Sequence, residues 1–327
     1  MVTRPATGVS RRTLLTAALG APAVATLTGC LGPSWEELPT TRLTIATGNP
    51  GGVFDRYGEA LADVLARRLE GVTTRTRTTN ASVENLRQVA DRSSDIGFSL
   101  GDAASDAVRG TGEFDAPVEV AALARTYDSF VHLVVRAASP FTDVTDLRGR
   151  RVGLGARGSG TRVIAQRILT EAGVTVDGVE STADTLQESA DALRAGDLDA
   201  FFFVSGLDNS AIWELSEQVP IRLIDLGRLV PEMTSSFGTE YTAGPVPAST
   251  YSLPDAIDTV SVKNHVVVHP DLDDDLAYAV TRVIFEQQSA VDDLALGVRQ
   301  PNIGAAIFTD PLALHPGAVR YYRERHP

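Results

Sequence analysis

Apolar and polar positions along the chain change period repeatedly, from the twofold alternation of a strand to the three- and four-residue spacing of a helix. The first regular segment, Arg42-Leu43-Thr44-Ile45-Ala46-Thr47, reads as a strand; it leads through a loop at 48–52 into residues 57–69, where Leu61, Val64 and Leu65 share one helical face. A strand at 73–79, a helix at 83–91 and the strand Asp95-Ile96-Gly97-Phe98-Ser99-Leu100 follow. The second half repeats this order, with a strand at 151–154, a glycine-rich loop at 155–161, a helix at 163–172, a short strand around Val179, a helix at 186–194 and a strand at 199–204. From loop glycine to strand aspartate (Gly52 to Asp95, Gly160 to Asp199) is roughly 40 residues in both halves, the mark of two similar units. Between the units, 118–123 and 130–135 read as consecutive strands without a helix, and 260–268 reads as another unbroken strand. Helices at 276–288 and 317–325 close the chain. The expected class is α/β, with two lobes joined by two crossover hinge strands: 42–128 with 260–327 as lobe one, and 129–259 as lobe two.

Residues 1–30 follow a different logic. Arg11 and Arg12 in Ser10-Arg11-Arg12-Thr13-Leu14-Leu15 precede an alanine-rich apolar stretch that ends in Leu27-Thr28-Gly29-Cys30. A charged start, an apolar run and small residues before a cysteine read as a twin-arginine export signal with a lipoprotein processing site. Cys30 would then carry lipid, and firm attachment to a membrane needs more than one acyl chain there. The alternative is an uncleaved anchor, since the uncharged stretch 13–30 approaches the roughly 18 to 20 residues of a spanning helix. Gly20, Pro22 and Gly29 oppose a continuous helix. Residues 31–41 read as a tether. Cys30 is the single cysteine, so the exported part has no disulfide and depends on the core that a chain of 327 residues, 43% hydrophobic, can bury.

Charge narrows the partners. The formal net charge is −13, and loss of the three arginines in the first 30 residues takes it to −16. Nucleic acid is excluded as a partner by the want of a basic face. The acidic run around Asp271 and Asp273 to Asp275 reads as solvated surface. An anionic ligand would need close-range donors to overcome the field of the whole molecule.

Such donors are offered where a strand runs through glycines into a helix, because backbone N–H groups and the helix dipole then face the carboxyl edge of the sheet. The first loop is Gly48-Asn49-Pro50-Gly51-Gly52-Val53-Phe54 and the second is Gly155-Ala156-Arg157-Gly158-Ser159-Gly160-Thr161. If the lobes face one another, both converge on one cleft. A competing reading is an exported dinucleotide-dependent oxidoreductase: Gly153 to Gly158 satisfies G-x-G-x-x-G, and Asp177 is spaced for a ribose. Against it, Gly153 falls inside the strand and the chain does not open with a nucleotide fold. Metal and nucleophile chemistry find less support. His132, His265, His269, His315 and His326 are scattered without a ligand motif, and Ser159 lacks the G-x-S-x-G elbow.

Several segments together resemble the TAXI-type solute receptors of TRAP transporters over nearly all of the exported chain. The likeness is carried by Ile45-Ala46-Thr47-Gly48 leading to Gly51-Gly52-Val53-Phe54 and Gly58, by Ser82-Val83-Glu84-Asn85-Leu86, and by Asp146-Leu147-Arg148-Gly149-Arg150-Arg151-Val152 leading to Gly158-Ser159-Gly160-Thr161. Ala200-Phe201-Phe202 and His315-Pro316-Gly317-Ala318-Val319-Arg320-Tyr321-Tyr322 complete it. The resemblance implies a two-lobed type II periplasmic-binding-protein fold that performs no catalysis, uses no cofactor and closes on a small carboxylate, glutamate-like or a dicarboxylate. It further implies a monomer that hands the ligand to TRAP membrane permease subunits; a receptor reporting to a membrane sensor would share every cleft feature. Val53-Phe54-Asp55 and Ser205-Gly206-Leu207 depart from the family's usual residues. Expected ligand contacts are Gly52, Val53 and Phe54, then Asn80, Ala81 and Ser82, then Ser159, Gly160 and Thr161, with Phe202 as an apolar wall. Arg125 is the first candidate for a guanidinium contact and Arg157 the second. Tyr321 and Tyr322 are expected to be scaffold, packed across the lobes or on the hinge.

Overall fold

The computed structural model describes residues 37–295 and 303–325. The export signal with Arg11, Arg12 and Cys30, and residues 31–36 of the tether, lie outside the described residues. The rest of the expected tether is strand: β1 (Glu37–Ala46) begins at Glu37, which pairs with Glu70 before a register irregularity and a regular ladder from Thr41.

The first unit continues with α1 (Val53–Arg68), β2 (Glu70–Arg77), α2 (Ser82–Ala90), β3 (Ile96–Leu100) and α3 (Gly101–Arg109). After β4 (Ala121–Arg136) comes the second unit, β5 (Arg151–Gly153), α4 (Gly160–Glu171), β6 (Glu180–Thr182), α5 (Leu186–Ala195) and β7 (Ala200–Ser205). Then follow α6 (Ser210–Gln218), β8 (Ile221–Leu223), α7 (Val230–Phe237), β9 (Tyr241–Val246) and β10 (Ile257–Val268). The chain ends in α8 (Asp274–Glu286), α9 (Gln288–Leu294), α10 (Ile303–Ala306) and α11 (Pro316–Arg325). In the first unit β1 lies between β2 and β3, parallel to both; in the second β5 lies between β6 and β7, again parallel to both. The two units therefore share one topology, as their matching lengths suggest.

β4 and β10 join them. The two apolar runs on either side of residues 125–129 belong to one 16-residue strand, because that polar middle stays extended and paired. β4 pairs with β10 as far as Phe130 and with β7 from Phe130 onward. β10 pairs with β9 over Ile257–Val262 and with β3 over Asn264–Val268, and its register against β4 shifts between Lys263 and His265. Both crossover strands thus change partner at mid-length.

Each unit buries its sheet between helices. Leu61 and Leu65 of α1 pack with Val280 and Ile284 of α8 and with Tyr321 and Tyr322 of α11 on one face of the first sheet, while Val83, Leu86 and Val89 of α2 and Ala103 of α3 cover the other. Full burial of one such leucine stabilises by about 2 kcal/mol. Ile164 and Ile168 of α4 lie on one side of the second sheet, and Leu193 of α5 and Ile212 of α6 on the other. The His315-Pro316-Gly317 segment brings α11 against α8, since a Cβ on Gly317 would stand 2.2 Å from the Asp274 carbonyl oxygen. The Tyr322 hydroxyl donates to the Leu123 carbonyl of β4 at 2.9 Å, so the tyrosine pair sits in the core of the first lobe and ties it to a crossover strand. Among the described residues no helix is long and apolar enough to cross a membrane.

Candidate functional site

The C-terminal ends of β1, β3 and β7 open toward one another, and the loops that follow them enclose a cavity. From the first unit come Gly48, Asn49 and Gly52 of the β1–α1 loop, Val53 and Phe54 at the start of α1, Ala81 and Ser82 at the start of α2, and Leu100 at the end of β3. The second unit supplies Gly160 and Thr161 at the start of α4, and Phe203, Val204 and Ser205 at the end of β7; Tyr127 and Ser129 reach in from β4. The cavity holds about 30 Å³, and one water occupies on the order of 10 to 15 Å³ on that measure, so the two units are closed upon each other.

Closure rests on direct contact. A Cβ on Gly160 would meet Leu100 Cδ1 at 2.5 Å and Ser82 Oγ at 2.7 Å, so this position has room only for hydrogen. The Glu84 N–H of α2 donates to the Gly158 carbonyl at 3.2 Å. Nearby, Arg167 of α4 reaches Asp102 at 3.3 Å and Asp106 at 2.6 Å, both on α3. The Tyr241 hydroxyl donates to the same Asp102 at 2.7 Å, and burial pushes the Asp102 carboxyl up against the opposing pull of Arg167.

Asn85 fixes the loops of the first unit. Its amide donates to the carbonyls of Thr47 at 2.7 Å and Phe98 at 2.9 Å, and its oxygen accepts from the Thr79 hydroxyl at 2.6 Å. The ends of β1, β2 and β3 are thereby held by one buried side chain. The Thr79 oxygen accepts from the Ala81 N–H at 3.0 Å, and Ala81 takes φ 76, ψ −139, a region that glycine alone occupies freely. Asn264 does similar work across the crossover strands, donating to the Tyr127 carbonyl at 2.7 Å and to Ser129 Oγ at 3.0 Å.

The cavity is rich in donors. α1 and α2 begin without any side-chain cap, so their first N–H groups face the site. Ser82 Oγ accepts from the Leu100 N–H at 3.1 Å, Thr161 Oγ1 from the Val204 N–H at 3.2 Å, and Ser205 Oγ from the Asn209 amide at 3.2 Å, which leaves each hydroxyl hydrogen to be donated. The Tyr127 hydroxyl is buried with no hydrogen-bond partner, and burial pushes its pKa well up. Phe54 stacks on Phe98 at 5.7 Å and tilts against Tyr127 at 6.4 Å, giving the site an apolar wall.

Of the expected contacts, Gly52, Val53, Phe54, Ala81, Ser82, Gly160 and Thr161 line this cavity. The others lie elsewhere. Arg125 forks onto Asp128 at 2.7 and 3.1 Å, a neighbour three residues along the same strand that satisfies its charge outside the cavity. Arg157 is exposed on the loop before α4. Ser159 caps α4 by accepting from the Arg162 N–H at 3.1 Å, and the Asn80 N–H donates to Glu84 Oε2 at 2.8 Å, both just outside the lining. Phe202 packs in the core on the α4 side of β7, and its neighbour Phe203 forms the wall. β7 is buried on both faces, so alternation there carries no phase that would separate the two rings. Tyr127, Ser129 and Ser205 were missed for a related reason: they join the site only through the pairing of β4 with β7 and β10, which the local pattern does not encode. Asp177 precedes β6 and lies at the sheet edge opposite the glycine loop, so loop and carboxylate cannot share a dinucleotide.

Comparison with known proteins agrees with this architecture. The sequence matches the NMT1-like family over residues 45–325. Among solved structures, a Bordetella bronchiseptica RB50 protein aligns at 18% identity over 86% of this chain and 82% of its own, with TM-score 0.53. A Xanthomonas citri protein solved with ATP bound aligns at 13% identity over 88% and 99%, with TM-score 0.51. The periplasmic aliphatic sulphonate binding protein of Escherichia coli aligns at 14% identity over 88% and 84%, with TM-score 0.45. At such identities the likeness concerns the fold alone, which is the two-lobed periplasmic-binding-protein type.

Proposed function

The chain belongs to the NMT1-like family, and we propose on that premise that it is an exported, non-enzymatic receptor that closes its two lobes on a small organic acid. The observation that carries this reading is a cavity to which both units contribute, at the ends of their parallel strands and, in the first unit, against two uncapped helix N-termini. A receptor needs nothing more than this. Among the described residues the lining holds no histidine, carboxylate or lysine to act as general base to its hydroxyls, whereas donors converge there from α1, α2, α4, β4 and β7.

The lobes part, in this reading, where β4 and β10 exchange partners, near Ser129 and Lys263. The resemblance of its sequence motifs to TAXI-type receptors supports delivery to TRAP permease subunits from the outer face of the cell membrane, with lipid on Cys30 as the anchor. Thermal-shift measurement with small carboxylic acids tests the binding function. A carboxylate should raise the melting temperature and a nicotinamide dinucleotide should not; the reverse result would revive an oxidoreductase. Uptake of the identified acid in cells with and without the gene tests the transport role.

A further inference from the structure

We propose that the cavity selects an acid with a single carboxylate and a short apolar body, and that the Tyr127 hydroxyl is the residue that recognises its head. This rests on the receptor reading above and departs from the glutamate-like or dicarboxylate ligand that the sequence resemblance implies. The argument begins with charge. Among the described residues no Arg, Lys, Asp or Glu lines the cavity. The positive potential there comes from helix ends alone, those of α1 and α2 and those of α3 and α4, which begin beside Leu100 and at Gly160, and each end holds at most roughly half an elementary charge. Partial charges of this kind, without a side-chain cation, favour a ligand of low charge. A second carboxylate would find no side-chain counter-ion in the lining. An ammonium group, as in an amino acid, would find no carboxylate in the lining.

Hydrogen-bond roles point the same way. Ser82, Thr161 and Ser205 are each engaged as acceptors by protein N–H groups and are left to donate. The Tyr127 hydroxyl, on a residue 6% exposed, has no hydrogen-bond partner among the described residues. A buried hydroxyl without a partner is unfavourable, and an acceptor brought by the ligand removes that penalty. Val53, Phe54, Leu100, Phe203 and Val204 give the lining an apolar side that suits a hydrocarbon body, beside the polar Asn49 and Ser129.

The test is calorimetry with the full exported chain and four probes: butyrate, succinate, glutamate and butyramide, followed by butyrate with Tyr127→Phe. Butyrate should bind at least tenfold more tightly than succinate, glutamate or butyramide. Tyr127→Phe should weaken butyrate binding by about tenfold or more, as for loss of a hydrogen bond to a charged group. Its melting temperature without ligand should stay the same or rise, because the unpaired hydroxyl is gone; a merely structural tyrosine would lower it. Succinate or glutamate binding as tightly as butyrate, or unchanged butyrate affinity in Tyr127→Phe, would overturn this inference and leave the receptor standing. Failure of all four probes, together with a wider panel of small acids, would overturn both.

Discussion

Asn85 shows how much of the site depends on one side chain that touches no ligand. Its amide satisfies two carbonyls and its oxygen one hydroxyl, all buried. Asn85→Ala would leave all three groups unpaired, and with about 1 to 3 kcal/mol for each unsatisfied group, partly relieved by water, a loss of about 3 kcal/mol is expected. Asn85→Asp should cost more still, since an acceptor would face the carbonyls of Thr47 and Phe98. Urea denaturation of the two variants checks both the size and the order. The Ser82 to Leu86 motif marked this segment as important in the sequence, but the reason is a bond across three strand ends that no local pattern displays. The arginines failed for a complementary cause. A guanidinium is a good carboxylate ligand wherever it lies, and Arg125 has Asp128 within reach on its own strand.

At the scale of elements the sequence was most legible where the period was long and one-sided. α1, α5 and α8 fall within a few residues of the apolar stripes that suggested them, because one face is buried and the other wet. α3 was not foreseen. Its apolar stripe of Ala103, Ala104, Ala107 and Val108 is mostly alanine and stands out little, while the polar residues around it are buried as well. β9 escaped because Gly244 and Pro245 interrupt its alternation, and it gains its place only by pairing with β10. The entry to α2 holds a conformational cost that the sequence hides entirely. Ala81 sits at φ 76, which costs a residue with a Cβ of order 1 to 3 kcal/mol. Ala81→Gly should relieve it, less the 0.4 to about 1 kcal/mol of extra freedom that glycine gains in the unfolded chain. Net stabilisation of about 1 kcal/mol is expected, read as a higher melting temperature at fixed pH.

The whole molecule answers to pH and to the contacts that hold its units closed. Burial lowers the pKa of His132 to about 4, from an ordinary value of 6.5. The neutral form is therefore favoured on folding, so this stability is present above pH 6.5 and is lost progressively as pH falls toward 4. His132→Gln keeps an acceptor for the Tyr251 hydroxyl, 3.0 Å from the ring, and should show a flatter decline of melting temperature over that window than the parent. Arg167 governs closure differently, as the cation that bridges α4 to Asp102 and Asp106 of α3 while lying 4.8 Å over the Phe237 ring. Asp102 is fully buried, so Arg167→Met would strand its charge, at a cost of about 3 to 5 kcal/mol. A buried pair can instead be exchanged for neutral groups at little cost, provided both charges go. Arg167→Met with Asp102→Asn should therefore regain part of the stability that Arg167→Met loses, since the amide can still meet the Tyr241 hydroxyl while the Asp106 carboxylate stays without its cation. Urea denaturation of the two single variants and the pair measures this. If the double variant is no more stable than Arg167→Met alone, the guanidinium acts through its packing on Phe237 rather than as the counter-ion that joins the lobes.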